Sequence, residues 1–194
     1  MFNLVIFGPP GAGKGTQSVK IAEKYRLGHI STGDLLRNEI KNQTPLGLKV
    51  RNIIEKGELV PDELLIDLLK GAMHKHNDVN GFIFDGFPRT LMQAEELDRF
   101  LQGEGQRINL TLALEVEEEE LIKRILHRAM ESDRTDDTEE VIQNRLLVYH
   151  NQTKPLIDYY RKQGKFESVF GKGTIDQIFG KLCVVIDKHL LSGS

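Results

Sequence analysis

Apolar residues in this chain fall in short unbroken runs more than in strict alternation. Phe2–Phe7 (FNLVIF) stops at Gly8, Gly81–Phe84 (GFIF) stops at Asp85, and Leu110–Val116 (LTLALEV) leads into Glu117. His29–Ser31 and Glu167–Phe170 are shorter candidates. Continuous runs of this length suit parallel strands covered on both faces. Helix-length patterns lie between them: one runs from Gln17 to Tyr25, one opens at Thr32, and one opens at the Glu117–Glu120 run. Asp137, with Glu140 three residues on, has the spacing of a capping box. Strands alternating with helices predict an α/β chain with a doubly wound, five-stranded parallel sheet. Two stretches break the alternation. Residues 32–61 hold about three helical segments with no strand, and residues 128–137 are polar between two helices. Both are expected to be inserts on one domain spanning 1–194.

At 194 residues the chain can bury a full core without staples. The single cysteine, Cys183, excludes an internal disulfide framework and a cysteine zinc site. No apolar run is long enough to span a bilayer, and the start lacks a signal-peptide pattern, so a cytoplasmic protein without a membrane partner is expected. Lys and Arg total 26 against 29 Asp and Glu, a net charge of −3, which disfavours a nucleic-acid partner. Any polyanion must be met by locally clustered cations.

The first strand runs straight into Gly8-Pro9-Pro10-Gly11-Ala12-Gly13-Lys14-Gly15-Thr16. Glycines let backbone amides approach phosphate oxygens, the helix N-terminus adds partial positive charge, and Lys14 can reach terminal phosphates. Gly15 stands where the usual phosphate-loop pattern has its Ser or Thr, and Thr16 follows. Asp85, ending an apolar strand, is the candidate carboxylate for a hydrated magnesium. Arg124 and Arg128 are four apart on a helical pattern and share a face; Arg134 and Arg145 follow. Chemistry at phosphates gathers negative charge in little water and must be met by positioned cations. Lys14, Arg37, Arg89, Arg124, Arg128, Arg134 and Arg145 are the cations available.

Four further segments, STGDLLR (31–37), GELVPD (57–62), DGFPRT (85–90) followed by Gln93, and RTDD (134–137), together with GKGT (13–16), resemble the adenylate kinase family over nearly the whole chain. The resemblance implies a P-loop kinase sheet with a small helical NMP-binding insert (32–61) and a short lid (127–137). It implies reversible transfer between ATP and AMP giving ADP, with Mg2+ and no zinc, by a monomer. ATP would meet Gly11, Ala12, Gly13, Lys14, Gly15, Thr16, Arg124, Arg128 and Gly173. AMP would meet Thr32, Arg37, Glu58, Leu59, Val60, Gly86, Phe87, Pro88, Arg89, Gln93, Arg134 and Arg145. Lys14, Arg89, Arg124, Arg128, Arg134 and Arg145 would carry the catalysis, and Asp136 and Asp137 would pair with arginines on closure. Short-lid relatives usually read RGxxxGR, whereas this chain has Ala129 and Asp133 at the two glycines, so a more restricted lid backbone is expected.

Relatives acting on UMP and CMP read SAGELLR and DGFPRNxDN; Thr32 and Gln93 replace their Ala and Asn and favour AMP. A UMP/CMP kinase is the alternative on the same scaffold. A GTPase-like switch is a different class, and the NKxD motif it needs is missing from the sequence.

Overall fold

The computed structural model describes residues 1–131 and 138–192. Five strands, β1 (Asn3–Phe7), β2 (Gly28–Ser31), β3 (Phe82–Asp85), β4 (Ile108–Glu115) and β5 (Phe166–Phe170), form one parallel sheet in the order β2-β3-β1-β4-β5. The expected five-stranded, doubly wound sheet is therefore present. All of β1 is buried because alternate residues serve opposite layers. Val5 and Phe7 pack with Ile30, Phe84, Leu97 and Tyr160. Leu4 and Ile6 pack with Ile21, Ile83, Leu112 and Ile125. Two covered faces account for an unbroken run where a half-exposed strand would alternate.

Helices α1 (Lys14–Tyr25), α6 (Glu118–Glu131), α7 (Glu139–Val148) and α9 (Ile175–Ser192) supply buried residues to the layer with Leu4 and Ile6. The opposite layer draws on α2 (Thr32–Lys41), α3 (Pro45–Glu55), α4 (Asp62–Met73), α5 (Leu91–Gly103) and α8 (Leu156–Lys162). Cys183 is buried on α9, as its apolar neighbours predict. No helix among the described residues is long and apolar enough to cross a membrane.

The structure corrects four local expectations. Residues 32–61 hold two helices, α2 and α3; the third, α4, starts at Asp62 beyond the Val60–Pro61 turn. Ser31, with its extended backbone, caps α2 by accepting from Asp34 N, which leaves Thr32 for another bond. Thr138 caps α7 by accepting from Val141 N at 3.4 Å, where the sequence spacing pointed to Asp137. Finally, α6 continues to Glu131, so Ala129 lies within a helix. Alanine there favours the helix that glycine would weaken by about 1 kcal/mol. Asp133, Arg134, Asp136 and Asp137 lie outside the described residues.

Candidate active site

The carboxyl ends of β1, β2 and β3 open into a cavity of 1060 Å³, the usual place for a ligand in a doubly wound sheet. Its floor is the loop from Gly8 to Gly13. Gly11 has φ +82°, and a Cβ there would lie 2.7 Å from Ile125 Cγ1 and 2.9 Å from Leu121 O. The loop thus needs glycine both for its left-handed turn and for contact with α6. Gly13 is left-handed as well and delivers the chain into the N-terminus of α1.

Lys14 is the first residue of α1, and its ammonium folds back onto the loop. Nζ donates to Gly8 O at 2.7 Å and to Pro9 O at 3.0 Å. Desolvation lowers its pKa to about 8; Asp85 opposes the shift, while Arg89, Arg128 and Arg145 add to it. The four cations therefore act on one another across the cavity before any anion arrives. Asp85 ends β3, is buried, and has Oδ2 3.7 Å from His29 Nε2.

On the opposite wall, Gly86 O collects two donors: Thr32 Oγ1 at 2.9 Å and Arg89 Nε at 2.8 Å. The Arg89 backbone is held at both ends. Its N–H donates to Gln93 Oε1 at 2.7 Å, and its carbonyl accepts from Thr153 Oγ1 at 3.0 Å. Gln93 is fully buried and its Nε2 donates to Asp62 Oδ1 at 2.6 Å. Arg37 lines the cavity and pairs with Asp34, one helical turn back. Arg124 is clamped by Glu120 Oε1 (Nε, 2.8 Å) and Gly171 O (Nη2, 3.0 Å), which ties α6 to the end of β5. Arg145 reaches the Gly57 turn, where a glycine Cβ would sit 3.0 Å from Arg145 Cγ. Nearby, Asn144 Nδ2 donates to Lys56 O at 2.6 Å.

Most of the sequence-chosen residues share this cavity: Gly11, Ala12, Gly13, Lys14, Gly15, Thr16, Arg37, Asp85, Gly86, Pro88, Arg89, Arg124, Arg128, Arg145 and Gly173 all line it. Thr32, Phe87 and Gln93 are buried behind that lining, as is Val60 under the Gly57 turn; Glu58 is exposed. His127, read from sequence as a solvated helix residue, lines the cavity rim with Lys123. Sequence reasoning also missed Asp62 and Thr153. Asp62 had a signal of a kind, since it closes the GELVPD segment. Thr153 had none: it ends a π-helical turn, Tyr149–Thr153, and meets Arg89 across 64 positions of chain.

Comparison with known proteins bears on the same residues. The adenylate kinase family model matches residues 6–165, a span that includes the phosphate loop and every cavity-lining residue named above except Gly173. A curated adenylate kinase of Bacteroides thetaiotaomicron is 52% identical over 188 residues, covering 97% of this chain and 100% of that protein. An adenylate kinase of Parabacteroides distasonis is 53% identical over 182 residues, covering 94% and 96%. One of Flavobacterium psychrophilum is 48% identical over 188 residues, covering 96% and 99%. With a glycine loop, a buried carboxylate and facing arginines at the carboxyl end of a 2-3-1-4-5 sheet, and with likeness at this level over nearly its full length, the chain belongs to the adenylate kinase family.

Proposed function

We infer that the chain catalyses ATP + AMP = 2 ADP, and that one nucleotide lies over the phosphate loop and α6 while the other lies between α2 and the Gly86–Gln93 segment. The observation that carries this reading is a single cavity with a phosphate loop on one wall and a second, independently built cation wall facing it. A nucleotide hydrolase needs only the first wall. A transferase needs both, so that donor and acceptor phosphates meet in line.

In this reading Lys14 leaves the Gly8 and Pro9 carbonyls for the phosphates of ATP, exchanging two neutral acceptors for anionic ones. Arg124 and Arg128 flank those phosphates from α6. Arg37 and Arg89 hold the phosphate of AMP with planar forks, and Arg145 reaches it from α7. Thr32, Gln93 and the backbone of 58–60 and 86–88 enclose the base; Gly173 backs the adenine of ATP. Arg134 closes over both nucleotides in the 127–137 lid, and residues 32–61 form the AMP-side insert. Clustered positive charge matters most where equatorial oxygens gain charge in the transition state.

The residues also fit a magnesium ion carried with ATP. Asp85 is a lone buried carboxylate beside the phosphate loop, and no group of three or more His, Cys, Asp or Glu among the described residues could cage a metal. That donor set suits an ion that keeps its waters and takes its other ligands from phosphate. When bound, such an ion would neutralise charge between the β and γ phosphates. Asp85 would orient it through water, and His29 would lie behind Asp85.

Thr32 and Gln93 support AMP over pyrimidine monophosphates. Both are buried hydrogen-bonding groups paired with Gly86 O, Arg89 N and Asp62 Oδ1, so a base must replace those bonds with its own, and one lacking matching groups cannot. The test is a coupled ADP-formation assay with and without AMP. ATP hydrolysis at the same rate in both would remove the transferase reading.

A further inference from the structure

The sheet has a second cavity, of 830 Å³, at the opposite end from the active site. It is bounded by the C-terminal end of α1, the starts of β1 and β4, the turn before β5 and the last turns of α9. Lys24, Arg26, Arg107, Lys165 and His189 line it, and no Asp or Glu does so among the described residues. In a chain of net charge −3 this one-signed lining is unexpected.

Part of it has an ordinary cause. Lys24, Arg26 and His189 sit at the C-terminal ends of α1 and α9, where cations complement the helix macrodipole. That cause does not reach Arg107 and Lys165, which precede β4 and β5. Two of these cations have carboxylate partners at the long end of ion-pair range: Lys24 is 3.8 Å from Asp187, and His189 is 3.9 Å from Glu167. Lys165 donates to the neutral Gln163, at 2.6 Å. The exposed side chains of Arg26 and Arg107 make no ion pair among the described residues.

The frame behind the cations is rigid. Asn3 is fully buried, donates through Nδ2 to Gln106 Oε1 and to Arg107 O, and accepts from Phe82 N. Its own N–H goes to Asn109 Oδ1 at 2.9 Å, where the β1–β4 register shifts. This buried amide network fixes the backbone from which Arg107 projects.

We propose that this basal cavity is an oligophosphate site, separate from the active site, which takes a ligand bearing two or more linked phosphates. Its volume is that of a small-molecule pocket and too small for a nucleic-acid duplex. Four permanently charged side chains from three parts of the chain match the three to four charges of a triphosphate, whereas a single phosphate would engage only a pair of them. The free arginines supply bidentate forks, and Lys24 and Lys165 supply point charges. Two sources share this chemistry, inorganic tripolyphosphate and a nucleoside triphosphate.

The experiment is calorimetric and NMR titration of the full chain with tripolyphosphate and, separately, with ATP. The active site is first saturated with an analogue joining two adenosines through a phosphate chain. Tripolyphosphate should still bind, with amide shifts at Arg26, Arg107 and Lys165. Arg26→Ser with Arg107→Ser should weaken that binding by about tenfold or more, since each loses a charge-assisted contact. The single variant Arg107→Glu, which leaves α1 untouched, should weaken it at least as much. Equal binding of ATP would identify the phosphate chain as the recognised part; tighter ATP binding would add a contact to the base. Absence of heat and of shifts once the active site is filled would overturn the proposal. So would binding of either ligand that survives both variants unchanged.

Discussion

Replacing Arg89 by Ala separates what this side chain does for the fold from what it does for phosphate. Its Nε donates to Gly86 O, and that carbonyl keeps a second donor, Thr32 Oγ1 at 2.9 Å, when the arginine is gone. The backbone anchors to Gln93 and Thr153 do not involve the side chain and remain. Gly86 O is not orphaned, so losing this bond should cost about 1 kcal/mol, the net worth of one hydrogen bond. For a chain of this length that is roughly 2–4 °C in Tm. The catalytic cost should be much larger. A positioned cation at the transferring group contributes on the order of 3–4 kcal/mol, so kcat should fall by about 10²–10³. A second, independent readout is available because Arg89 depresses the pKa of Lys14. Its removal should move the alkaline limb of kcat/KM to higher pH. Adding Thr32→Val strips Gly86 O of both donors, and the double variant should lose about 1–3 kcal/mol more stability than the single changes sum to. The assays are thermal unfolding and steady-state ADP formation on the same preparations. A loss of kcat below tenfold in folded Arg89→Ala would refute the reasoning, as would a Tm loss large enough to account for the activity.

Four further outcomes are expected. Lys14 has a folded pKa of about 8 against an ordinary 10.5, so the unfolded chain binds more protons between those values; the ligand-free protein should gain stability from this group as pH rises from about 8 to 10.5, measurable by denaturant titration and lost in Lys14→Met. The same deprotonation removes the charge that phosphate needs, so kcat/KM for ATP should fall above about pH 8 while kcat, read in the nucleotide complex, falls later. Gly11→Ala should cost about 1–3 kcal/mol and weaken ATP, because φ +82° and contacts at 2.7 and 2.9 Å leave a methyl no room; a wild-type Tm would contradict it. Thr32→Ala with Gln93→Asn should narrow the AMP:CMP ratio of kcat/KM, and an unchanged ratio would count against the assigned base site.

The sheet was legible because burying a strand on both faces forces an unbroken apolar run, and β1 and β3 follow that rule residue by residue. β4 starts at Ile108, two residues before its apolar run, because Asn109 is a polar residue tied to Asn3 and contributes no periodicity. The phosphate loop was legible for a similar reason, since glycine spacing is a local record of backbone geometry. The caps were harder: Ser31 and Thr32 are adjacent capping residues, and only the backbone shows that Ser31, in its extended conformation, is the one that caps α2. Ala129, where short-lid relatives have glycine, was expected to restrict the lid backbone, yet it continues α6, where its propensity is an advantage. Thr153 and Asp62 stayed hidden because their partners lie 64 and 31 positions away, and nothing in the local sequence marks a hydrogen bond at that range.

The account rests on two walls of one cavity serving two different nucleotides. The measurement that tests it most directly is parallel coupled ADP formation by the purified chain, with Mg-ATP as donor and AMP, UMP, CMP or GMP as acceptor. AMP should be used far faster than the others, and ADP should appear only when an acceptor is present. Comparable turnover with UMP or CMP, or ATP consumption independent of any acceptor, would contradict the account.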